Sequence, residues 1–189
     1  ILTARRLDKL EALRNELTAA AGVHVIQLDV RDRTAVDAAI ASLPADFCNI
    51  DVLVNNAGLA LGLEPSHQVA IEDWDVMVDT NIKGLMYCTR AILPGMVARN
   101  SGHVVNISST AASWPYPGGN VYGGTKAFVL QFSRNLRADL LGKKVRVTCI
   151  QPGMAETEFS NVRFKGDDGK ADQVYAGAEP LTAVDIAET

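Results

Sequence analysis

Two patterns of apolar positions alternate along the chain, short continuous runs and longer stretches with helical periodicity. The runs predict strands over residues 23–28, 50–54, 103–107 and 145–150. Apolar positions three to four apart predict one helix from residue 7 to a stop at Gly22, and others over residues 32–43, 72–93 and 120–140. This alternation is typical of βαβ units. It predicts an α/β fold with a doubly wound parallel sheet, in a single domain over residues 1–189.

Three finer expectations follow from the same pattern. The run over residues 50–54 has the continuous apolar character of a strand buried on both faces of a parallel sheet. Pro94 should end the third helix, because proline lacks a backbone N–H. Residues 157–175 are polar and aperiodic, which predicts a long loop, and such loops are often lids over sites.

Both ends of the chain resemble interrupted elements. Residues 1–4 have the pattern of the end of a strand, and Thr182 is placed to cap a helix that has just begun when the chain stops at Thr189. The chain contains no glycine-rich phosphate loop of the GxGxxG type. We therefore expect a sheet lacking its first strand and a natural protein that is longer at both ends.

Composition and charge exclude several classes of function. A formal net charge of −4 without a basic block argues against nucleic-acid binding. No apolar run is long enough to span a bilayer and no signal peptide is evident, so we expect a cytoplasmic protein. The three histidines lack metal-ligand spacing, which predicts no metal site. The cysteines form no CxxC pair and are expected to be reduced and buried, at Cys48, Cys88 and Cys149.

The most informative motif is Tyr122 followed four residues later by Lys126, on a predicted helix. Positions four apart lie on one helix face, about one turn from each other. An ammonium at about 4 Å, with an effective dielectric near 20, attracts a phenolate by about 4 kcal/mol. That attraction would lower the pKa of Tyr122 from about 10 towards a range useful for acid–base catalysis. The pair alone could also be a surface tyrosine stacked on a lysine.

Other polar residues fall where parallel strands end, the edge at which open α/β sheets bind ligands. Ser108 and Ser109 end one predicted strand, and residues 55–58 (Asn-Asn-Ala-Gly) follow another. The serines could polarise a substrate carbonyl or could only form a turn. Asn81 lies within a long apolar helix, where asparagine is a poor helix former. It could make a local hydrogen bond, or it could mark a bent helix that holds a water near Lys126.

Together these motifs resemble those of the short-chain dehydrogenase/reductase family, in the family's order and spacing. The resemblance rests on Asn55, Asn56, Ala57, Gly58, Asn81, Ser109, Tyr122, Lys126, Pro152, Gly153 and Thr157. It implies a Rossmann-type sheet and a nicotinamide cofactor.

The resemblance also implies catalytic roles for four residues. Tyr122 would act as general acid in reduction and general base in oxidation. Lys126 would lower its pKa and hold the nicotinamide ribose. Ser109, thirteen positions before Tyr122, would orient the carbonyl, and Asn81 would complete a proton relay through water.

The end of the strand before the first helix indicates which cofactor is preferred. An acid at that place accepts a hydrogen bond from the 2′-hydroxyl of NAD, whereas arginine pairs with the 2′-phosphate of NADP. Arg5 and Arg6 stand there without an acid, which favours NADP unless they only begin a solvated helix. By resemblance, Asp29 and Val30 would contact the adenine. The remaining cofactor contacts implied by the resemblance are Asn56, Ala57, Gly58, Tyr122, Lys126, Pro152, Gly153 and Thr157.

The predicted substrate class also rests on resemblance. The loop at residues 113–119, which contains the rival phenol Tyr116, and the segment 158–170 are similar to those of bacterial NADP-dependent 3-hydroxy acid dehydrogenases. Arg163 or Lys165 could meet a substrate carboxylate, although a solvent-facing charge is the expectation we favour for both. The stretch after Gly153 is one residue shorter than in that subgroup, which affects the expected register of the lid.

We therefore expect an oxidoreductase that transfers a hydride between NADP(H) and a small 3-hydroxy or 3-oxo acid, or a related alcohol. Alternatives are a broader carbonyl reductase of the same family, an epimerase or dehydratase that shares the tyrosine–lysine motif, and a non-catalytic NADP-binding or assembly module. The resemblance further implies a homotetramer formed through the helices over residues 72–93 and 120–140, while composition and charge predict no nucleic-acid or membrane partner.

Overall fold

The protein is represented by a computed structural model that describes residues 1–17 and 22–189. In those residues strands and helices alternate, as the sequence predicts. The strands are β1 (Leu2–Ala4), β2 (Val25–Gln27), β3 (Val52–Asn55), β4 (Gly102–Ile107) and β5 (Val145–Ile150). The α-helices are α1 (Leu7–Leu17), α2 (Arg33–Ala41), α3 (Ile71–Val78), α4 (Leu85–Arg99), α5 (Asn120–Asp139), α6 (Glu158–Arg163), α7 (Asp168–Gln173) and α8 (Ala183–Ala187).

All strand pairs are parallel, which confirms the Rossmann-type α/β fold. β1 pairs with β2, with Leu2 opposite Val25, and β3, β4 and β5 form a second sheet in that order. Helix α1 packs on the first sheet, and α4 and α5 pack on the second. Within the described residues β1 and β3 have no partner on their other edges, and residues of both strands border one cleft. The expected gap in the sheet therefore lies between β1 and β3.

The expectation that β3 is buried on both faces is wrong. The side chains of Val52 and Val54 are 53% and 55% exposed. Both side chains point to the face of the sheet opposite Leu53, and it is Leu53 that packs against the core cluster containing Met96 of α4. Only its last residue, Asn55, is buried.

The main core lies between the second sheet and helices α4 and α5. Met96 of α4 and Val104 of β4 are fully buried there. The same cluster contains Leu136, Leu140, Val145 and Val147. Burial of these side chains fixes α5 against β4 and β5, so the core determines where the polar residues at the start of α5 lie relative to the strand ends.

Pro94 does not end the third predicted helix. A single helical segment runs through α3, a π-helical turn at Asp79–Gly84 and α4, and it stops at Asn100, which adopts a left-handed conformation with φ 52°. Leu93 and Met96, on either side of Pro94, both pack in the core. That packing holds the helix together although the proline contributes no N–H.

The segment predicted to be a long loop contains two helices, α6 and α7, so that prediction is wrong. Each begins with a side-chain cap: Thr157 Oγ1 accepts from the N–H of Phe159 at 3.2 Å, and Asp167 Oδ1 accepts from that of Lys170 at 3.1 Å. Each helix has six residues, too few to show periodicity in the sequence. The cap predicted at Thr182 is confirmed, because it forms a capping box with Asp185 at the start of α8.

The expectation that all three cysteines are buried needs correction. Cys48 is exposed, while Cys88 and Cys149 are partly buried, and all three thiols are free. In α1 only Leu10 is buried. Whether that helix reaches the expected stop at Gly22 lies outside the described residues.

In residues 1–17 and 22–189, no helix is long and apolar enough to cross a membrane, and no cluster of three or more potential ligands suits a metal ion.

Candidate active site

A cleft of about 1430 Å³ opens where the carboxyl ends of β3, β4 and β5 meet, and it extends between the free edges of β1 and β3. Nearly all residues singled out in the sequence line it. They are Arg5, Arg6, Asp29, Val30, Asn56, Ala57, Gly58, Ser109, Tyr122, Lys126, Pro152, Gly153 and Thr157. Asn81 lies directly behind this wall. The structure thus brings the predicted catalytic and cofactor residues to one place.

Tyr122 and Lys126 are both on the buried face of α5, one turn apart. The Lys126 ammonium donates to the carbonyl oxygen of Ile107, at the end of β4, with a distance of 2.9 Å. Its Nζ atom is 5.8 Å from the centre of the Tyr122 ring. Because Lys126 is buried, its pKa falls from 10.5 to about 8.

The expectation that Lys126 lowers the pKa of Tyr122 is wrong in this structure. Burial raises the pKa of the phenol above its ordinary value, and a hydrogen bond with Ser109 and the nearby Arg163 guanidinium only partly oppose that rise. Desolvation therefore outweighs attraction, since the ammonium is turned towards Ile107 and is itself desolvated. Tyr122 consequently remains a protonated phenol near neutral pH.

The two serines at the end of β4 have different surroundings. Ser108 Oγ donates to the carbonyl oxygen of Lys126 at 2.8 Å and is buried, so it ties β4 to α5. Ser109 Oγ accepts from the N–H of Ala111 at 3.1 Å and hydrogen-bonds Tyr122. Both serines line the cleft, and of the two it is Ser109 whose hydroxyl acts on the pKa of the Tyr122 phenol.

Asn81 lies in the π-helical turn and is 2% exposed. Its Oδ1 accepts from the N–H of Leu59, and its Nδ2 donates to the carbonyl of Leu59, each at 2.8 Å. Nδ2 also donates to Thr125 Oγ1 at 3.0 Å. Asn81 thus joins the turn after β3 to α5, next to Lys126. The helix is thus irregular at Asn81, because this residue lies in a π-helical turn.

The Asn-Asn-Ala-Gly turn is built on a buried polar network. Asn55 Nδ2 donates to Asn106 Oδ1 at 2.8 Å and to Thr89 Oγ1 at 3.0 Å, which links β3 to β4 and α4. At Gly58, an added Cβ would lie 3.3 Å from Lys126 Nζ and 3.4 Å from Asn81 Oδ1. Glycine is therefore what lets the backbone approach these two side chains closely.

The opposite end of the cleft carries the arginines at the start of α1. Arg6 pairs with Glu158, the first residue of α6, at 2.5 Å. Asp29 is held by Arg31, whose guanidinium keeps the pKa of that carboxyl below its usual range. The wall also contains Thr80, whose buried Oγ1 has no partner in the part of the chain that the structure describes. Two guanidiniums at one end and the unpaired Thr80 hydroxyl in the wall fit a phosphorylated dinucleotide.

Arg163, at the end of α6, is the least expected member of the site. It is 9% exposed, and its guanidinium carbon lies 5.3–5.9 Å from the ring centres of Tyr122, Phe159 and Tyr116. Its Nη2 donates to the Tyr116 hydroxyl at 2.9 Å, while its buried Nε has no partner among residues 1–17 and 22–189. The favoured expectation of a solvent-facing charge is therefore wrong for Arg163.

Lys165 faces solvent, as expected, and its ammonium pairs with the carboxylate of Asp73 in α3 at 2.9 Å. The sequence signal that could have separated the two basic residues is the Thr157 cap. The cap fixes where α6 begins. Phe159 and Arg163, which are four positions apart, then lie on one face of the helix.

Comparison with known proteins identifies the family. The sequence profile described as short chain dehydrogenase matches residues 1–168. The chain belongs to the short-chain dehydrogenase family. The family predicted from the motifs is thus confirmed.

Two curated relatives and one solved structure are closely similar. The chain is 62% identical over 189 residues to NADP-dependent 3-hydroxy acid dehydrogenase YdfG of Escherichia coli O157:H7, covering all of this chain and 75% of the relative. It is 56% identical over 187 residues to serine 3-dehydrogenase of Agrobacterium fabrum, covering 99% and 74%. The closed form of a serine dehydrogenase complexed with NADP+ superposes with a TM-score of 0.95 at 61% identity, covering 98% and 75%. The prediction of an NADP-dependent dehydrogenase agrees with these relatives.

Proposed function

We propose that the protein catalyses reversible hydride transfer between NADP(H) and a small 3-hydroxy or 3-oxo acid. The observation that carries this proposal is the buried Arg163 guanidinium beside Tyr122, with an unpartnered Nε. A buried cation without a counter-charge is costly, and a carboxylate is the partner that a guanidinium binds best. An acid substrate supplies that carboxylate when it binds.

The geometry favours a short acid. Arg163 and the proposed proton donor Tyr122 are neighbours, with 5.3 Å between the guanidinium carbon and the phenol ring centre. One substrate molecule can therefore place its carboxylate on Arg163 and its reacting oxygen at the Tyr122 hydroxyl only if few bonds separate the two groups. The Tyr116 hydroxyl, which accepts from Arg163, lies beside the same carboxylate position.

The proposed chemistry divides the work between four side chains. NADP(H) supplies or accepts the hydride. The high pKa of Tyr122 keeps its proton on the phenol near neutral pH, so the side chain can donate that proton to the carbonyl oxygen during reduction. Ser109, which hydrogen-bonds Tyr122, orients the same oxygen. Lys126 holds the nicotinamide ribose, and Asn81 fixes the backbone beside Lys126.

In this proposal the cofactor lies along the cleft from α1 to α5. Arg5 and Arg6 bind the 2′-phosphate, and Asp29 and Val30 border the adenine. Residues 56–58 flank the ribose, while the nicotinamide end is bordered by the stretch after β5, with Pro152, Gly153 and Thr157. These positions support NADP over NAD, because two cations stand where an NAD site carries an acid.

The test is steady-state kinetics on the full-length protein, with matched pairs of 3-oxo acids and their uncharged methyl esters as substrates. We expect the acids to be preferred by at least about tenfold in kcat/KM, which corresponds to about 1.4 kcal/mol. Arg163→Met should abolish the preference mainly through KM, whereas the control Lys165→Met should keep it. Equal rates on acids and esters would instead support a broader carbonyl reductase. NADPH binding without turnover would support the non-catalytic module.

We also propose that the protein is a cytoplasmic homotetramer, on the basis of family resemblance. Sedimentation velocity of the full-length protein tests the assembly. Cell fractionation tests the compartment.

A further inference from the structure

Glu158 is an acid at the very place where the sequence showed none. Its carboxylate forms a two-point ion pair with Arg6, from Oε2 to Nη2 at 2.5 Å and from Oε1 to Nη1 at 3.4 Å. Lys9, one turn further along α1, lies 3.8 Å from the same carboxylate. Both Arg6 and Glu158 line the cleft. Glu158 belongs to α6 and lies 152 residues after Arg6 in the sequence, so spacing alone does not reveal this pair.

We propose that Glu158 is a cofactor-specificity residue that competes with the 2′-phosphate of NADP(H) for Arg6. This inference rests on the proposed NADP site. Carboxylate and phosphate bind guanidinium through the same fork of N–H donors, so one edge of Arg6 cannot serve both. A phosphate bound by the other edge of the Arg6 guanidinium would still lie beside the negative charge of the Glu158 carboxylate. An NAD ribose has no such conflict, because its 2′-hydroxyl can donate to a carboxylate.

The expected effect is modest, because the pair is exposed. The side chains of Arg6 and Glu158 are 58% and 59% exposed, so solvent screens this ion pair and its loss should change affinity by no more than about fivefold. Glu158→Gln keeps the size and polarity of the side chain and removes the charge. It should therefore tighten binding of NADPH by up to about fivefold, with no gain for NADH.

Direct binding measurements test the proposal without relying on turnover. Dissociation constants for NADPH, NADH, adenosine 2′,5′-bisphosphate and AMP should be measured by calorimetry or ligand fluorescence on the full-length protein, for the wild type and Glu158→Gln. Glu156→Gln is the matched control, since it removes the same charge two residues away. We expect Glu158→Gln to tighten only the two ligands with a 2′-phosphate. The gain should shrink in high salt and vanish in an Arg6→Ala background.

Each other outcome overturns the inference in a recognisable way. Equal tightening of all four ligands, or the same gain in Glu156→Gln, would mean a general charge effect. Unchanged affinity would mean that Glu158 does not compete, and weaker NADPH binding would mean that it positions Arg6 for the phosphate. If the wild type itself binds NADH as well as NADPH, the proposed NADP site fails rather than the role of Glu158.

Discussion

Replacement of Lys126 by methionine should make the fold more stable while it removes activity. Burial lowers the pKa of this lysine from 10.5 to about 8, and at about 1.4 kcal/mol per pKa unit the charged side chain destabilises the folded state by about 3 kcal/mol. Methionine has a similar shape and no charge. It loses the hydrogen bond to the Ile107 carbonyl, worth about 1 kcal/mol. We expect a net stabilisation of about 2 kcal/mol at pH 7.

The dependence on pH gives the sharper test. Because the folded-state pKa is below the unfolded one, the unfolded chain binds more protons between pH 8 and pH 10.5, and the stability of the wild type rises with pH in that window. The variant lacks this rise. Its advantage over the wild type should be largest below pH 8 and should narrow by about 2 kcal/mol between pH 7 and pH 9.5.

Urea unfolding at fixed protein concentration, without cofactor, measures both quantities. The control is Lys143→Met, because this lysine is exposed and its replacement should leave the pH dependence as in the wild type. A stability difference for Lys126→Met that stays constant from pH 7 to pH 9.5 would refute the reasoning. It would mean that Lys126 is solvated well enough to keep its ordinary pKa in the folded protein.

Three other variants test separate parts of the site and the core. Tyr122→Phe should reduce turnover by about 10² or more and leave the dissociation constant of NADPH nearly unchanged, since it removes only the proposed proton donor. Arg5→Ala combined with Arg6→Ala should weaken NADPH binding much more than NADH binding in a fluorescence titration, and equal losses would mean that both are only surface charges. Met96→Ala should destabilise the fold by about 2–5 kcal/mol in urea, because that side chain is fully buried.

The fold was largely predictable because its helices and strands repeat a strong pattern. The helix over residues 120–140 and the strands over residues 103–107 and 145–150 were found from the apolar pattern alone, within one or two residues, whereas the helix predicted over residues 72–93 continues to Arg99. The errors have local causes. Pro94 is tolerated because neighbouring core contacts outweigh one missing N–H, and α6 and α7 are too short for any period to show. The exposure of Val52 and Val54 depends on what packs against their face of the sheet, and periodicity does not report that.

The sequence predicts which residues form the site, but not their pKa values or their surroundings. Spacing and resemblance selected Tyr122, Lys126 and Ser109, and the structure brings all three to one cleft, although their catalytic roles stay predictions. The sign of the pKa change at Tyr122 was wrong, because a sequence gives the spacing of two groups but not their burial. The surroundings of Arg163 were hidden for the same reason, since its neighbours Tyr116 and Tyr122 come from other elements.

Helix α6 connects the two proposed specificities. Its first residue, Glu158, pairs with Arg6 at the cofactor end, and its last, Arg163, meets Tyr116 at the substrate end. The two ends of this six-residue helix lie about 8 Å apart, and each is held by its own contacts. The N–H of Gly62, which donates to the carbonyl of Arg163 at 2.9 Å, fixes the substrate end more firmly than the exposed ion pair fixes the cofactor end. Loading the 2′-phosphate site should therefore loosen α6 at its start while Arg163 keeps its place, so changes at Glu158 should alter cofactor affinity more than the KM of the acid substrate.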